Sequence, residues 1–428
     1  MRKLESLLLT PLDGRTKGFP QDQPALALGE VGTQGWGLLS GELETPVALL
    51  KASVLDSNAT WMREFLQRTG ASLCPHGKTT MAPQLFERQI QDGAWGLTLA
   101  TPQQVRIALE FGMKRIILAN QLIDPKTIAW FQRCLDENPE LDLSCLVDSV
   151  ESVQLLDSVP GRRPIPVLLE LGLPGGRCGA RDLEAALAVA RAVKASKRLQ
   201  LRGVKCFEGI VMSPDAEVDR ARVEKWLEAL SELARRCAAE KLFETEEVLL
   251  SAGGSAYFDL VAAKLSAADL GQPSRVLLRS GCYVSHDAGH YARLIARLEG
   301  RLPEGWRVPG ALRPALEVWG RVLSRPEPGL AFLDFGKRDV AHDIDLPKPI
   351  LWARPGLHAA PQPVPEPWSI PSLYDQHARM VIPPDTDLAI GDLVGCAVSH
   401  PCTTFDKWQL LWVVDDDYKV MEGIRTFF

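Results

Sequence analysis

The sequence predicts an α/β fold: a (β/α)8 TIM-type barrel followed by a smaller C-terminal β domain. Eight short apolar runs alternate with helical stretches up to about residue 300, which is the pattern of parallel βα units. Beyond that point the apolar runs follow one another without long helices between them. The length of 428 residues allows two or three domains of roughly 100–200 residues each. We therefore expect an N-terminal segment over 1–45 that packs on the β domain, the barrel over 46–300, and the β domain over 301–428.

The barrel elements follow from these apolar runs and from the helical stretches between them. The expected strands are the run that leads to Leu73–Lys78, then Leu97–Ala100, Arg115–Ala119, Leu141–Val147, Ile165–Leu171, Arg202–Phe207, Val248–Ser251 and Val276–Arg279. The expected helices are Pro83–Asp92, Pro102–Phe111, Pro125–Glu137, Val150–Ser158, Leu183–Ala195, Ala216–Ala239 and Tyr257–Leu265. Most strands are thus followed by a helix, as a parallel barrel requires.

The C-terminal part is expected to be built from strands. The stretch Pro303–Pro314 predicts a linker. The proline-rich stretch Arg354–Pro371 predicts an irregular loop. The expected strands of the β domain are Pro314–Leu323, Ala331–Phe335, Asp392–Ser399 and Gln409–Val414.

Composition excludes several classes of function. The formal charge is 48 − 54 = −6, so no strongly basic field favours nucleic acid, and we expect no nucleic-acid partner. No apolar run reaches the roughly 18 residues of a membrane span, and Leu7–Leu9 is too short for a secretion signal. Nine cysteines at irregular spacings indicate reduced thiols and a cytoplasmic location.

Two features at the expected barrel mouth point to one cofactor. Active sites of such barrels lie at the carboxyl ends of the strands, where Lys78 follows the first one. A lysine there is a candidate Schiff-base nucleophile, although an exposed loop lysine is the alternative. The loops after strands seven and eight contain Gly253-Gly254-Ser255 and Gly281-Cys282-Tyr283, which suit a phosphate group or simply form turns. A lysine facing a phosphate site suggests pyridoxal phosphate (PLP).

Two further candidate groups also have purely structural interpretations. Arg177 lies in a glycine-rich stretch after strand five, where it could hold a cofactor oxygen or a substrate carboxylate, or serve the turn alone. His400 and Cys402 are two residues apart in an expected strand, so both side chains could reach one metal ion. Imidazole with thiolate suits Zn²⁺, but a chance pair has the same spacing.

These motifs together resemble the fold-type III PLP enzymes of the D-serine dehydratase and D-threonine aldolase family. The resemblance rests on Pro75-His76-Gly77-Lys78-Thr79, Gly176-Arg177-Cys178-Gly179, Gly253-Gly254-Ser255, Arg279-Ser280-Gly281-Cys282-Tyr283-Val284, Leu333-Asp334-Phe335-Gly336, Gln376-His377 and Ser399-His400-Pro401-Cys402. It implies an alanine racemase-like barrel and a homodimer whose active sites draw on both subunits.

The resemblance also implies roles for individual residues. Lys78 would form the Schiff base, with His76 beside it and Arg177 near the phenolic oxygen of the cofactor. His377 would be a catalytic base. The cofactor phosphate would lie among Gly254, Ser255, Gly281, Cys282 and Tyr283, and Zn²⁺ or another divalent metal would bind His400 and Cys402.

The sequence departs from the family pattern at three positions. The family often has Arg where Cys74 stands and His where Thr80 stands. After strand six it commonly shows a His-Gly pair, whereas this chain has Glu208-Gly209. Glu208 could face the pyridine ring or a substrate group, or be a structural carboxylate.

The expected activity is a PLP- and zinc-dependent lyase that dehydrates and deaminates a D-β-hydroxy amino acid such as D-serine, giving a 2-oxo acid and ammonia. The alternative within the family is a metal-dependent D-threonine aldolase that yields glycine and an aldehyde. A racemase and a non-catalytic PLP-binding protein are the remaining possibilities. The expected partner is therefore a small D-amino acid, with no membrane partner.

Overall fold

The amino-terminal segment packs on elements from the carboxyl-terminal end of the chain. The computed structural model of the protein describes residues 4–365 and 367–428. Helix α1 (Leu4–Leu7) precedes strands β1 (Pro11–Leu12) and β2 (Leu26–Ala27), which pair antiparallel. Trp36 packs edge-on against Trp412, with 5.9 Å between the ring centroids. Aromatic contacts of this kind join the N-terminal segment to the β domain.

Strand β3 (Val47–Lys51) precedes the barrel in sequence but belongs to the sheet of the β domain. It pairs antiparallel with residues 316–319 and parallel with residues 412–414. The barrel was expected to begin at residue 46, but the first strand after that position belongs to the β domain. A short apolar run fits either sheet, so its partner cannot be read from local pattern.

In the part of the chain that the structure describes, eight parallel strands form the barrel, and the predicted fold class is confirmed. They are β4 (Ser72–Leu73), β5 (Leu97–Leu99), β6 (Arg115–Gln121), β7 (Asp142–Val147), β8 (Ile165–Glu170), β9 (Leu199–Lys205), β10 (Val248–Ala252) and β11 (Ser274–Leu278), hydrogen-bonded in the order β4-β11-β10-β9-β8-β7-β6-β5. The sheet closes because Trp95 N–H donates to the Leu73 carbonyl (2.7 Å) and Thr98 N–H to the Pro75 carbonyl (2.9 Å).

The barrel helices match the expected ones closely, with two additions. They are α2 (Ala52–Thr69), α3 (Pro83–Gln91), α4 (Pro102–Glu110), α5 (Pro125–Glu137), α6 (Val150–Asp157), α7 (Leu183–Ala195), α8 (Ala216–Ala239), α9 (Phe258–Ser266) and α10 (His290–Glu299). Helices α4 and α5 begin where Thr101 and Asp124 accept backbone N–H bonds ahead of a proline, which suits the first helical position. Helices α2 and α10 were not expected from the sequence.

Among the described residues, nine strands follow the barrel, and with β3 they form the β domain. They are β12 (Leu316–Glu327), β13 (Leu330–Leu333), β14 (Lys348–Ala353), β15 (Gln362–Pro363), β16 (Ser369–Leu373), β17 (Ala378–Val381), β18 (Leu393–Ala397), β19 (Leu410–Val414) and β20 (Val420–Arg425); the short helix α11 (Cys402–Phe405) lies between β18 and β19. Strand β15 and the start of β16 fall within the stretch Arg354–Pro371, which was expected to be an irregular loop. No helix in the described residues is long and apolar enough to cross a membrane.

Candidate active site

Lys78 lies at the mouth of the barrel. It belongs to a single turn of 3-10 helix, Gly77–Thr79, which follows strand β4. A side chain at Gly77 would force its neighbours to shift, because an added Cβ would lie 2.9 Å from both the Leu99 Cδ2 and the Phe86 Cε1 atoms. The Lys78 side chain is exposed and borders a cavity of about 250 Å³. Among the described residues, none forms a hydrogen bond or an ion pair with its Nζ atom, so the amine is free to react.

The cavity lies between the barrel mouth and the β domain. Phe207, Gly254, Ser255, Gly281 and Cys282 come from barrel loops, and Pro401 and Cys402 come from the β domain. The remaining lining residues are His76, Lys78, Thr79, Gly209, Met212, Ala256, Arg279, Asp287, His290, Tyr291, Leu294, Ile344 and His400. Residues from both halves of the chain thus meet at one cavity beside Lys78.

Three polar groups of the cavity wall are buried without a partner. The His76 Nδ1, Arg279 Nε and Tyr291 hydroxyl atoms have no hydrogen bond among the described residues. Burial first, and then the positive charges of Lys78 and Arg279, hold the pKa of His76 well below its usual value, so its imidazole is neutral. Unsatisfied buried polar groups are costly unless a ligand completes them, so these atoms fit an anionic or polar ligand.

The two loops expected to hold a phosphate border the cavity, but two backbone N–H groups of the first loop already donate to a side chain of the protein. Glu208 is fully buried, and its carboxylate accepts the N–H groups of Gly253 (3.1 Å) and Gly254 (2.8 Å). Glu208 is therefore a carboxylate that holds the loop after β10. Gly281 lies so close to the His76 carbonyl oxygen that a side chain there would collide with it. The Ser280 hydroxyl donates to the Gly254 carbonyl at 2.6 Å and so joins the two loops, whose residues Ser255, Gly281 and Cys282 line the cavity.

Tyr283 and Arg177 lie near the cavity but do not line it. Tyr283 is 2% exposed; burial raises the pKa of its phenol, and its hydroxyl bonds with Gln89 of helix α3. Only its backbone could therefore serve a ligand. Arg177 is exposed, and its guanidinium stacks 4.4 Å from the centroid of the Phe207 ring. Since Phe207 borders the cavity, Arg177 lies one side chain away from it.

His400 and Cys402 both line the cavity, but not as neighbours in a strand. Strand β18 ends at Ala397, and Cys402 is the first residue of helix α11. The expectation that both project from one face of a strand was wrong, because Pro401 has helical backbone angles and turns the chain. The two side chains converge through this turn, and hydrogen bonding with Cys402 raises the pKa of His400 to about 9.

The surroundings of Cys402 stabilise its thiolate form. The Cys402 Sγ atom lies 3.7 Å from Cys282 Sγ and 3.5 Å from Thr79 Oγ1. Hydrogen bonding from Cys282, and after it from His400, holds the pKa of Cys402 well below its usual value. The His400 Nδ1 atom contacts the Asp343 carboxylate at 2.7 Å, which orients the ring. No group of three His, Cys, Asp or Glu side chains in the described residues converges as a complete metal cage does.

His377 lies elsewhere in the molecule. It is exposed in the turn between β16 and β17 and borders a separate shallow depression with Leu323, Phe332 and Tyr374. Its ring centroid is 6.5 Å from that of Phe332. Within one chain His377 is therefore not brought together with Lys78.

A buried ion pair lies inside the barrel, where sequence reasoning placed no site. Lys205 Nζ contacts Glu170 Oε1 at 2.5 Å, and the other oxygen of Glu170 accepts a bond from Gln121 at 2.8 Å. Burial first, and then the charge of Arg279, lowers the pKa of Lys205 to about 8. Lys205 is the last residue of β9 and follows Val204, and its place at the carboxyl end of a barrel strand was the only signal of it in the sequence.

Sequence reasoning also missed Arg279, Asp287, Tyr291 and Asp343. Arg279 belongs to the quoted motif at the end of the eighth strand and could have been named from its position. Tyr291 belongs to the unexpected helix α10, and Asp287 lies just before that helix and accepts the Tyr291 N–H group. Asp343 contacts His400 across 57 residues of sequence, so no local pattern could have revealed it.

Comparison with known families matches both halves of the chain. Residues 51–270 match the family described as "Alanine racemase, N-terminal domain". Residues 315–414 match the family described as "Putative serine dehydratase domain". The two matches cover most of the barrel and most of the β domain.

Individual relatives carry names of D-amino acid lyases. A D-threonine aldolase from an Arthrobacter species is 23% identical over 380 residues, which is 87% of this chain and 90% of the relative. A 3-hydroxy-D-aspartate aldolase from Paracoccus denitrificans (strain Pd 1222) is 25% identical over 320 residues, covering 73% and 76% of the two chains.

Solved structures share the fold over nearly the whole chain. The D-threonine aldolase from Filomicrobium marinum superposes with a TM-score of 0.73 at 20% identity, covering 92% of this chain and 97% of the other. The D-threo-3-hydroxyaspartate dehydratase from Delftia sp. HT23 gives 0.68 at 20% identity, covering 91% and 99%. At these identities the likeness concerns the fold.

Proposed function

The chain belongs to the family described as alanine racemase, N-terminal domain, and on that premise we propose that it is a PLP-dependent lyase of D-β-hydroxy amino acids. The reaction we propose is dehydration and deamination, which converts a D-serine-like substrate to a 2-oxo acid and ammonia. The observation that carries the proposal is the shared cavity, where Lys78 of the barrel faces His400 and Cys402 of the β domain. The names of the relatives support the reaction class.

The residues around the cavity fit PLP. Lys78 would hold its aldehyde carbon, and the loops of Ser255, Gly281 and Cys282 would hold its phosphate. The unpartnered Nε–H donor of Arg279 supports this fit, since it needs an acceptor in the cavity, and the unpartnered Nδ1 atom of His76 needs a polar partner there. When bound, the cofactor supplies an electron sink for the negative charge that develops at the substrate Cα atom.

In this proposal, Lys78 also moves the proton. Its amine has no partner among the described residues, and it borders the cavity, so it can reach the proton on the substrate Cα atom. The imidazole of His76 is neutral, so it adds no positive charge beside the Lys78 amine.

His400 and Cys402 would hold a divalent metal, and the donor set suits Zn²⁺. A thiolate and an imidazole are ligands that Zn²⁺ prefers, and two protein ligands leave positions for water and substrate. The Asp343 carboxylate on His400 Nδ1 leaves the other ring nitrogen for the metal, an arrangement common in zinc sites. A metal bound there would polarise the β-hydroxyl group of the substrate.

An aldolase is the second candidate, and the relatives named D-threonine aldolase and 3-hydroxy-D-aspartate aldolase favour it. It would use the same lysine, cofactor and metal, but a base would take the proton of the β-hydroxyl group, and the Cα–Cβ bond would break. The products would be glycine and an aldehyde, and the aldehyde from 3-hydroxy-D-aspartate would keep the β-carboxylate of the substrate.

We also propose a homodimer in which His377 serves the partner's cavity, because within its own chain it lies away from Lys78. Mixing inactive Lys78→Ala and His377→Ala variants would then restore activity. If subunits exchange at random, about half of the dimers are hybrids, and each hybrid has one intact site out of two. The recovered activity should therefore approach about a quarter of the wild-type value. No recovery, with the dimer confirmed by light scattering, would remove His377 from the active site.

Product analysis tests the proposed function. The purified protein is supplied with PLP and Zn²⁺, then assayed with D-serine, D-threonine and 3-hydroxy-D-aspartate, before and after chelation. Ammonia with a 2-oxo acid, lost on chelation, is the expected result. Glycine with an aldehyde would establish the aldolase. Neither product from any of the three substrates would contradict both candidates.

A further inference from the structure

Two cysteine thiols from different domains face each other in the cavity. Cys282 follows strand β11 of the barrel, and Cys402 begins helix α11 of the β domain, 120 residues away in sequence. Their sulfur atoms are 3.7 Å apart. In the described residues no other pair of cysteine sulfurs is in contact, although the chain has nine cysteines, all of them free.

The position of this pair makes it chemically accessible. Both side chains are partly exposed and both line the cavity, whereas Cys74, Cys145, Cys206, Cys237 and Cys396 are buried. A small oxidant that enters the cavity reaches both thiols together. A disulfide needs about 2.05 Å between the sulfurs, so they would have to approach by roughly 1.7 Å from their present 3.7 Å.

We propose that Cys282 and Cys402 are a redox modification site, in which a reversible disulfide withdraws Cys402 from the metal. The co-reactant is a peroxide. The Cys402 sulfur attacks a peroxide oxygen to give a sulfenic acid and water, and the Cys282 sulfur then displaces a second water as the disulfide forms. Two thiols and one hydrogen peroxide thus give one disulfide and two waters, with two electrons passing from sulfur to oxygen.

The consequence for the site follows from the roles of the two residues. A sulfur in a disulfide is no longer a thiolate, so it cannot act as a metal ligand. The bond would also tie the β domain to the barrel loop beside Lys78, since Thr79 contacts both sulfurs. The withdrawal of a metal ligand rests on the proposed function, whereas formation of the disulfide does not.

The test treats the metal-loaded protein with a small excess of hydrogen peroxide and reads three signals. The expected result is a loss of two hydrogen masses, a peptide that joins Cys282 to Cys402, and release of the metal to a chromophoric chelator. A thiol reductant should reverse the cross-link and restore metal binding. Because the cross-link is measured by mass, it tests the proposal even if the protein proves to have no metal or no lyase activity.

Two variants make the result specific. Cys282→Ser removes the second thiol, so Cys402 should oxidise onward to sulfinic acid, and the reductant should no longer rescue it. Cys178→Ser is the matched control, since Cys178 is an exposed thiol outside the cavity; it should keep both the cross-link and its reversal. The proposal is overturned if wild-type Cys402 becomes sulfinic acid as fast as in Cys282→Ser, if the cross-link involves Cys178, or if bound metal stays in the cross-linked protein.

Discussion

Two lysines at the carboxyl end of the barrel are held in opposite ways. Lys205 is 1% exposed, and its amine contacts the Glu170 carboxylate at 2.5 Å. Lys78 is exposed to the cavity, and no described residue pairs with its amine. The buried lysine inside the barrel is thus paired with a carboxylate of the same barrel, whereas the lysine at the mouth has an amine that is available to a ligand. A charge that the fold has already paired serves stability, and one that it leaves unpaired is available for chemistry.

Substitution of Lys78 should have the largest effect on activity and almost none on stability. We expect Lys78→Ala to lower turnover by at least about 1,000-fold, because the variant loses both the covalent attachment point and the base. Its free energy of unfolding should stay within about 0.5 kcal/mol of the wild type, as for other exposed positions. Steady-state assays and urea unfolding of the same preparation measure the two quantities. Retained activity would contradict the role of Lys78 in the reaction and, with it, the contrast between the two lysines.

Substitution of Lys205 should have the reverse effect. Lys205→Met leaves Glu170 charged and unpaired in the barrel, so the free energy of unfolding should fall by about 3–5 kcal/mol. The double variant Lys205→Met/Glu170→Gln removes both charges and should regain most of that loss, since the new amide oxygen can still accept the bond from Gln121. If Lys205→Met were fully stable but inactive, Lys205 would belong to the active site instead.

The charge of Asp287, which borders the cavity, should make stability depend on pH. Burial raises the pKa of Asp287 to about 6, although the N–H groups of Gly289 and Tyr291 lower it in part. A carboxyl group whose pKa is higher in the folded state contributes stability that is complete below about pH 4 and is lost as the pH rises through 6. Relative to Asp287→Asn, the wild type should therefore lose up to about 3 kcal/mol between pH 4 and 7. A constant difference in unfolding free energy across this range would contradict the assignment.

The smallest effect is expected at Asp343, which orients a metal ligand without binding the metal. Asp343→Asn should weaken Zn²⁺ binding by about 10–100-fold, because the carboxylate no longer fixes the His400 ring. Competition with a chromophoric chelator measures this affinity. Asp375→Asn is the control, since Asp375 is an exposed carboxylate of the β domain that should leave zinc affinity unchanged. Equal affinities of the Asp343 variant and the wild type would remove Asp343 from the site.

Local pattern was enough to predict most of the barrel. Helices α5, α7 and α8 begin and end at the residues expected from the sequence, because caps and apolar periodicity mark them clearly. Helix α2 was missed, although its buried residues Leu55, Met62 and Phe65 recur at helical spacing. That error was one of interpretation, since the signal was present.

The remaining differences come from pairing between distant segments. Nothing in Val47–Lys51 reveals that it joins the β domain, and nothing near His400 reveals its contact with Asp343. The contact between Cys282 and Cys402 is of the same kind. Motifs in the sequence therefore named the groups at the mouth, but only the fold defines which of them meet and which are left unpaired.

The most direct test of the difference between the two lysines is to locate the bound cofactor. The protein is loaded with PLP, reduced with borohydride to fix the cofactor covalently, digested and mapped by mass spectrometry. The account predicts that the cofactor mass is on the peptide containing Lys78, that Lys78→Ala loses it, and that Lys205→Met keeps it. Label on Lys205 or on another lysine, or no label at all, would contradict the account.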